Sequence, residues 1–206
     1  MNHKKEADHI IDLYRQGADI WDNVRQTRFI EQHWLDRFLA LIPAQGEILD
    51  IGCGAGIPIA QYFLSHQFHV TGVDAAEPMI AHCKKRFAHS AWHVADMRSL
   101  ALSRSFNGLI AWDSFFHFTR DHQRAMFPRF VQHAKPGAAL MFTSGHGDGE
   151  AMGTFLDRPL YHASLDHAEF RQLLTDNGFR VVQQVTEDAT CGGRTVWLAQ
   201  FDMRAT

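Results

Sequence analysis

Apolar positions recur at intervals of three and four through roughly the first forty residues: Ile10, Ile11, Leu13 and Tyr14, then Ile20, Trp21 and Val24, then Phe29, Ile30, Trp34, Leu35, Phe38 and Leu39. That period predicts helices with one apolar face, ended by Pro43 and Gly46. Beyond them the pattern changes. Short apolar runs at Ile48–Ile51, Val70–Val73, Ala91–Ala95, Phe106–Trp112 and Ala139–Thr143 read as strands, with helical stretches at Ile57–Leu64, Pro78–Phe87 and Asp121–Ala134 between them. Pro136-Gly137 stops the last of these helices. Strands alternating with helices imply right-handed crossovers and a mostly parallel sheet covered on both faces.

The carboxyl-terminal part reads differently. Ser164-Leu165-Asp166 precedes a helix carrying Phe170, Leu173 and Leu174, and Asn177-Gly178 ends it. Two strands follow, Phe179–Thr186 and Thr195–Phe201, joined by a loop with Gly192-Gly193, so they are expected to pair antiparallel. The expected fold is α/β: a doubly wound, seven-stranded, mostly parallel sheet with an antiparallel C-terminal hairpin strand and an N-terminal helical lid. One domain is expected over residues 1–206, with the lid at 1–42 and the core at 43–206, the core holding an insertion at about 144–163.

Composition narrows the function. A chain of 206 residues with 46% hydrophobic content suits one core. A formal charge of -3 offers no basic excess for phosphate-backbone contacts, so nucleic acid is not expected as a partner. Met1 to Asp12 mixes charged and apolar residues unlike a secretory signal, and no segment approaches the roughly 20 apolar residues of a membrane span. Cys53, Cys83 and Cys191 form neither a disulfide framework nor a Cys-x-x-Cys pair, which suits a reducing compartment; a cytoplasmic protein, monomer or homodimer, is expected. Most of the 14 histidines, His3 among them, read as solvated imidazoles.

The candidate chemistry begins at Asp50-Ile51-Gly52-Cys53-Gly54-Ala55-Gly56, between the first strand and the first core helix. Glycines at such a turn let a ligand approach the backbone. A dinucleotide loop has Gly-x-Gly-x-x-Gly, but Ile57 occupies the place of its third glycine, and Asp50 would repel a pyrophosphate. The same carboxylate can hold an ammonium. Asp74 ends the second strand about twenty residues beyond the loop, where a carboxylate accepts ribose hydroxyls, and Asp96 ends the third, able to accept from an adenine amine. Asp74 also reads as a cap for the helix starting near Glu77. Cys53, between glycines, reads as a small residue in a crowded loop rather than a nucleophile.

Taken together, Ile48 to Gly56, Val73-Asp74, Ala95-Asp96-Met97 and Lys135-Pro136-Gly137 resemble the class I S-adenosylmethionine-dependent methyltransferases of the small-molecule type, with their Rossmann-like fold. The resemblance implies S-adenosyl-L-methionine as methyl donor and S-adenosyl-L-homocysteine as product. It places Asp50, Gly52, Cys53 and Gly54 at the methionine end, Asp74 on the ribose, and Ala75 and Met79 beside the adenine. Asp96 and Met97 would meet the adenine edge, and Trp112, Asp113 and His117 would lie nearest the sulfonium. In the lid, Tyr14, Trp21 and Arg25 would fold over the donor, with Arg25 facing the methionine carboxylate, though Trp21 reads equally as a packing residue and Arg25 as a solvated helix residue. Two positions depart from the family: Asn107 stands where an acid is frequent, and Ala138 where a second glycine is usual.

The methyl acceptor is less legible. A sulfonium already activates its methyl group, so alignment matters most and a general base only where the acceptor must lose a proton. Candidates for that base or for shaping the pocket are His117, His162 and Glu150, with His117 reading first as a packing residue that orients its loop. The Asp/Asn-Pro-Pro-aromatic motif of base-flipping amino-methyltransferases is absent, which favours oxygen or nitrogen of a small molecule. His146 and Asp148 with Asp113 offer a metal reading, but methyl transfer requires none, and no metal is expected. The alternatives are a nucleotide-dependent oxidoreductase and a catalytically inactive S-adenosylmethionine-binding partner protein.

Overall fold

The computed structural model describes residues 4–202, so His3 lies outside the described residues. Four helices come first: α1 (Lys4–Asp8), α2 (Ile10–Gln16), α3 (Ala18–Gln26) and α4 (Gln32–Leu39). The alternating part follows as β1 (Glu47–Ile51), α5 (Ile59–Ser65), β2 (His69–Asp74), α6 (Glu77–Arg86), β3 (Ala91–Val94), β4 (Phe106–Ala111), α7 (Arg120–His133) and β5 (Ala134–Ser144). The rest of the chain forms β6 (Gly149–Phe155), β7 (Arg158–Ser164), α8 (His167–Asp176), β8 (Phe179–Asp188) and β9 (Arg194–Phe201).

Seven strands form one sheet in the order β3-β2-β1-β4-β5-β9-β8. The first five run parallel, while β9 is antiparallel to both β5 and β8. This is the expected doubly wound sheet with an antiparallel closing hairpin. Its strand order reverses direction at β1 and β4, so the turns leaving those two strands open a crevice at their carboxyl ends. Aromatic packing fixes both faces. Phe115, Phe127, Phe130, Phe142, Phe170 and Trp197 fill one side; Trp34, Phe38, Phe63, Ile110 and Met141 fill the other. Asn107 accepts from the Glu47 backbone N–H at 3.0 Å and from Lys135 Nζ at 3.4 Å, so its amide ties neighbouring strand ends together.

Two regions differ from the pattern read along the chain. The stretch after the fifth strand is not an open loop: Gly149↔Ser164 through Phe155↔Arg158 pair as a separate two-stranded ribbon. Its turn residues Leu156 and Asp157 adopt φ of 54° and 55°, the conformation a two-residue hairpin needs but which Asn-Gly or Asp-Gly ordinarily signals. Helix α4, within the 1–42 stretch expected as lid, inserts fully buried Trp34, Leu35 and Phe38 into the core instead. The helices that reach over the strand ends are α2 and α3.

Candidate active site

The glycine loop is held open by conformation and anchored by hydrogen bonds. Gly52, Gly54 and Gly56 have φ of 78°, 53° and 78°, values that side chains rarely tolerate. A Cβ on Gly52 would lie 2.4 Å from Ser114 Cβ, so the chain also packs too closely there for any other residue. Val73 carbonyl accepts from the N–H groups of Gly52 and Cys53 at 2.8 and 3.0 Å. Asp74 completes the anchor, with one oxygen accepting from Gly54 N at 2.9 Å and the other from Ala76 N at 2.8 Å. Asp74 therefore braces the loop and the turn into α6 together, and its burial raises its pKa against those N–H groups.

Beside the loop, Trp21, Arg25, Asp50, Cys53, Trp112 and Asp113 wall a recess. Asp50 is buried at the end of β1, and burial, with the charge of Asp74, pushes its carboxyl up to about 7 against the pull of Arg25. A buried acid in that state favours a cationic partner. The indole Nε1 of Trp112 is buried without a hydrogen-bond partner among the described residues, a donor left for a ligand's oxygen. A buried acid, an unmatched donor and Arg25 together fit the ammonium and carboxylate of a methionine moiety. Arg25 itself donates through Nη2 to Glu31 Oε1 at 2.6 Å, both side chains buried. The Cys53 thiol is buried against the Cys83 thiol and held well above its ordinary pKa, in keeping with a packing role.

The recess continues past the loop toward Asp74, Ala75, Met79, Asp96 and Met97. This end is apolar where Met79 and Ala76 are buried, and polar at the strand termini. Arg98 clasps both oxygens of Asp96, donating from Nε at 2.9 Å and Nη2 at 2.6 Å to Oδ2, and also donates its backbone N–H to Oδ1. Burial opposes ionisation of Asp96, but that pairing keeps its carboxyl below the usual range. The acid is thus aimed and ionised by a residue that the sequence motif does not include.

Where the recess meets the next cavity stand Tyr14, Trp21, Asp113 and His117. His117 Nδ1 lies 2.9 Å from the Tyr161 carbonyl, which only accepts, so Nδ1 carries the proton and Nε2 accepts from the Tyr14 hydroxyl at 3.0 Å. Burial, helped by His162 alongside, pulls the His117 imidazole down to about 4, and burial raises the Tyr14 phenol. His117 is therefore a neutral ring pinned at both nitrogens. Asp113 has φ of 47° and donates its N–H to Thr143 Oγ1 at 2.9 Å. Arg194 grips its carboxylate from Nε at 2.8 Å and Nη2 at 2.5 Å.

The adjoining cavity is about 540 Å³, within the range of small-molecule sites. Its walls include His162, Glu150, Ser144, Arg28 and Arg194. His162 stacks on His117 at 4.9 Å and meets Phe116 edge-on at 5.1 Å, and burial lowers its pKa. Glu150 accepts from the Tyr161 hydroxyl at 2.9 Å, so one of its oxygens shapes the wall. The two carboxylates of the metal reading are engaged by arginines: Asp148 by Arg120 at 2.9 Å and Asp113 by Arg194. Among the described residues no three His, Cys, Asp or Glu side chains gather to hold a metal.

The hairpin tip closes against the lid. Tyr14, Trp21 and Phe155 form an aromatic cluster with centroids 5.4 to 5.9 Å apart, and Arg158 Nη1 donates to Gln16 Oε1 at 2.8 Å. All the cofactor residues named from sequence line the recess or its junction with the cavity, and His117, His162 and Glu150 line the cavity of about 540 Å³. Sequence reasoning missed Glu31, Arg98, Arg194 and Phe155. Each acts through a partner far away in the chain or outside any motif, so no local spacing marks it.

Known proteins resemble the chain in the same places. The sequence model of the family described as "Methyltransferase domain" matches residues 48–137. An O-methyltransferase of Pyrenophora dematioidea is 27% identical over 168 residues, 75% of this chain and 62% of that protein. A dTDP-3-amino-3,4,6-trideoxy-alpha-D-glucopyranose N,N-dimethyltransferase of Streptomyces venezuelae is 27% identical over 101 residues, 48% of this chain and 42% of that protein. The chain thus spans less than two thirds of the length of either curated relative. Among solved structures, Burkholderia thailandensis 1,6-didemethyltoxoflavin-N1-methyltransferase, with its substrate and S-adenosylhomocysteine bound, superposes with a TM-score of 0.72 at 19% identity, covering 95% of this chain and 87% of that one. An amino pentose methyltransferase from Micromonospora echinaspora, bound to S-adenosylmethionine, gives 0.69 at 17% identity, covering 88% and 96%. Residues 48–137 thus match a methyltransferase domain, and the sheet built around them has the fold of these S-adenosylmethionine-dependent methyltransferases.

Proposed function

We propose that this protein transfers a methyl group from S-adenosylmethionine to an oxygen or nitrogen of a small-molecule acceptor. One observation carries the reading: the donor recess and the cavity of about 540 Å³ share Tyr14, Trp21, Asp113 and His117 as a common wall. A donor methyl group at that boundary would face an acceptor in the cavity. The relatives named O- and N,N-dimethyltransferases support both acceptor atoms.

When bound, the donor supplies an activated methyl group on a sulfonium. The protein's task is to hold and align. Asp50, Arg25 and Trp112 would grip the amino-acid end, Asp74 the ribose, and Asp96 with Met97 the adenine edge, with Ala75 and Met79 flanking it. Gly52, Cys53 and Gly54 let the backbone approach. At the boundary, His117 holds its proton at Nδ1 and fixes the Tyr14 hydroxyl through Nε2. That arrangement favours the packing role for His117. His162, neutral and with its ring on the cavity wall, is then the better placed group to take a proton from the acceptor, and Glu150 shapes the wall. The lid and hairpin exclude water above them.

We further propose a single domain whose lid is formed by α2 and α3, in a cytoplasmic monomer or homodimer acting on no nucleic acid. The supporting features are the charge of -3 and the three buried, unpaired cysteines. No helix of the described residues is long and apolar enough to cross a membrane. Titration with S-adenosylhomocysteine and, separately, with a nicotinamide dinucleotide tests the donor. Binding of the former alone is expected, and binding of the latter alone would remove the proposal in favour of an oxidoreductase. Methyl turnover over a panel of amines and hydroxyl compounds then separates an enzyme from an inactive binding protein.

A further inference from the structure

Beside the donor recess, Arg25 and Glu31 form a buried ion pair that no family motif marks. Arg25 donates through Nη2 to Glu31 Oε1 at 2.6 Å, and the same Arg25 lines the recess next to Asp50.

The placement of Glu31 is unusual. It stands at the N-cap position of α4, yet its side chain makes no capping hydrogen bond. A carboxylate there ordinarily accepts from the first free N–H groups of the helix. Instead it turns inward to 0% exposure, with Oε2 accepting from the Ile30 N–H at 2.9 Å. A carboxylate leaves water only when paired and hydrogen-bonded, and both of its oxygens here are so engaged.

We propose that Glu31 is a positioning residue: it holds Arg25 toward the amino-acid end of the donor. This rests on the reading of the recess as a donor site. It does not require the acceptor to be known.

The test compares two nucleosides by calorimetry, S-adenosylhomocysteine and 5′-methylthioadenosine, which shares the nucleoside but lacks the amino-acid end. Glu31→Gln keeps the size of the side chain and an acceptor for Ile30 while removing the charge. S-adenosylhomocysteine is expected to bind about tenfold or more weaker, the loss of a charged buried contact, with methylthioadenosine unchanged within about twofold. Glu31→Asp is expected to recover part of the selective loss. An equal loss for both ligands would mean a scaffold role and overturn the proposal, as would no loss for either. If Glu31→Gln does not fold, Arg25→Gln carries the same comparison, with the same selective loss expected and an equal loss fatal. Wild-type protein that binds neither nucleoside would overturn the donor-site reading itself, whereas wild-type binding without selective loss overturns the role of Glu31 alone.

Discussion

The proposed donor recess is walled by strand ends, the turns that leave them and the lid helices, whereas the proposed acceptor cavity is walled chiefly by the β6–β7 ribbon and the loops before β6 and β9. In the recess the glycine loop and the turn into α6 are fixed through their own N–H groups: those of Gly52 and Cys53 donate to the Val73 carbonyl, and those of Gly54 and Ala76 to the Asp74 carboxylate. In the cavity the groups are fixed by side chains that meet across sequence distances, such as Tyr14 with His117 and Asp113 with Arg194. Backbone geometry constrains sequence at adjacent positions. Side-chain meetings constrain only the partners.

The largest effect is expected where the main chain itself forms the site. Gly52→Ala places a methyl group 2.4 Å from Ser114 Cβ at a φ of 78°. The loop must move, and S-adenosylhomocysteine affinity is expected to fall by more than about 100-fold, near 3 kcal/mol. Calorimetry on a variant shown to fold by circular dichroism measures it. Affinity within a few-fold of wild type would mean that the loop does not fix the donor.

Next comes Asp74→Ala, which removes the acceptors of the Gly54 and Ala76 N–H groups and the acceptor proposed for the ribose. A loss of about 1 to 3 kcal/mol in donor binding is expected from charged hydrogen bonds. Methylthioadenosine should weaken as much as S-adenosylhomocysteine, since both carry the ribose. A loss confined to S-adenosylhomocysteine would move Asp74 from the ribose to the amino-acid end.

The same contrast explains how much was legible in the sequence. The strands, their parallel order and the antiparallel closure follow from hydrophobic runs and breakers, because burial on both faces makes a parallel strand continuously apolar. Asp50, Asp74 and Asp96 were legible because each ends such a strand. The ribbon β6–β7 was not. Its strands are only partly buried, with Met152 42% exposed, and its turn carries Leu156-Asp157 rather than a glycine. Nor does any pattern announce that Glu31 turns inward from a capping position, because capping and burial use the same residue type. Helix α4 was assigned to the lid since amphipathic period alone does not say which neighbour an apolar face will meet.

On the acceptor side, His162→Ala should separate the two halves. The ring stacks on His117 and borders the cavity but not the donor recess. S-adenosylhomocysteine affinity is expected to stay within about twofold, while kcat/KM for methyl transfer falls by about 100-fold, the lower end of general base catalysis. His162→Phe, which keeps the stacked ring, should be equally slow if a proton is transferred. Wild-type rates in that variant would assign His162 to packing.

A pH series probes the donor half more gently. The Asp50 carboxyl is raised to about 7 in the ligand-free protein, chiefly by burial. Below that pH it is protonated and offers an ammonium less; above it the carboxylate is available. S-adenosylhomocysteine affinity should therefore rise by about tenfold between pH 6 and 8. The folded protein itself has the opposite dependence on this group. A carboxyl whose pKa is raised by folding contributes stability below its unfolded value near 4 and loses it as pH climbs through about 7. Asp50→Asn should flatten both trends, and an unchanged slope in that variant would shift the titration to another group.

The smallest expected effect lies where the two halves touch. A Cβ on Gly17 would come within 2.5 Å of the Phe155 ring and 2.8 Å of Leu156 Cδ1, the far ends of side chains on the hairpin tip. Gly17→Ala is therefore accommodated by moving the tip rather than the lid helices, at small cost to the fold. The donor recess keeps Trp21 and Arg25, so S-adenosylhomocysteine affinity should be unchanged. The acceptor cavity loses the close fit of Phe155 against Tyr14 and Trp21, whose contacts are each worth on the order of 1 kcal/mol. A rise of about threefold in acceptor KM with kcat preserved is the expected signature. Loss of donor affinity in the same variant would show that the ribbon and the lid hold the donor jointly, and the division between a main-chain donor site and a side-chain acceptor wall would then have to be redrawn at Gly17.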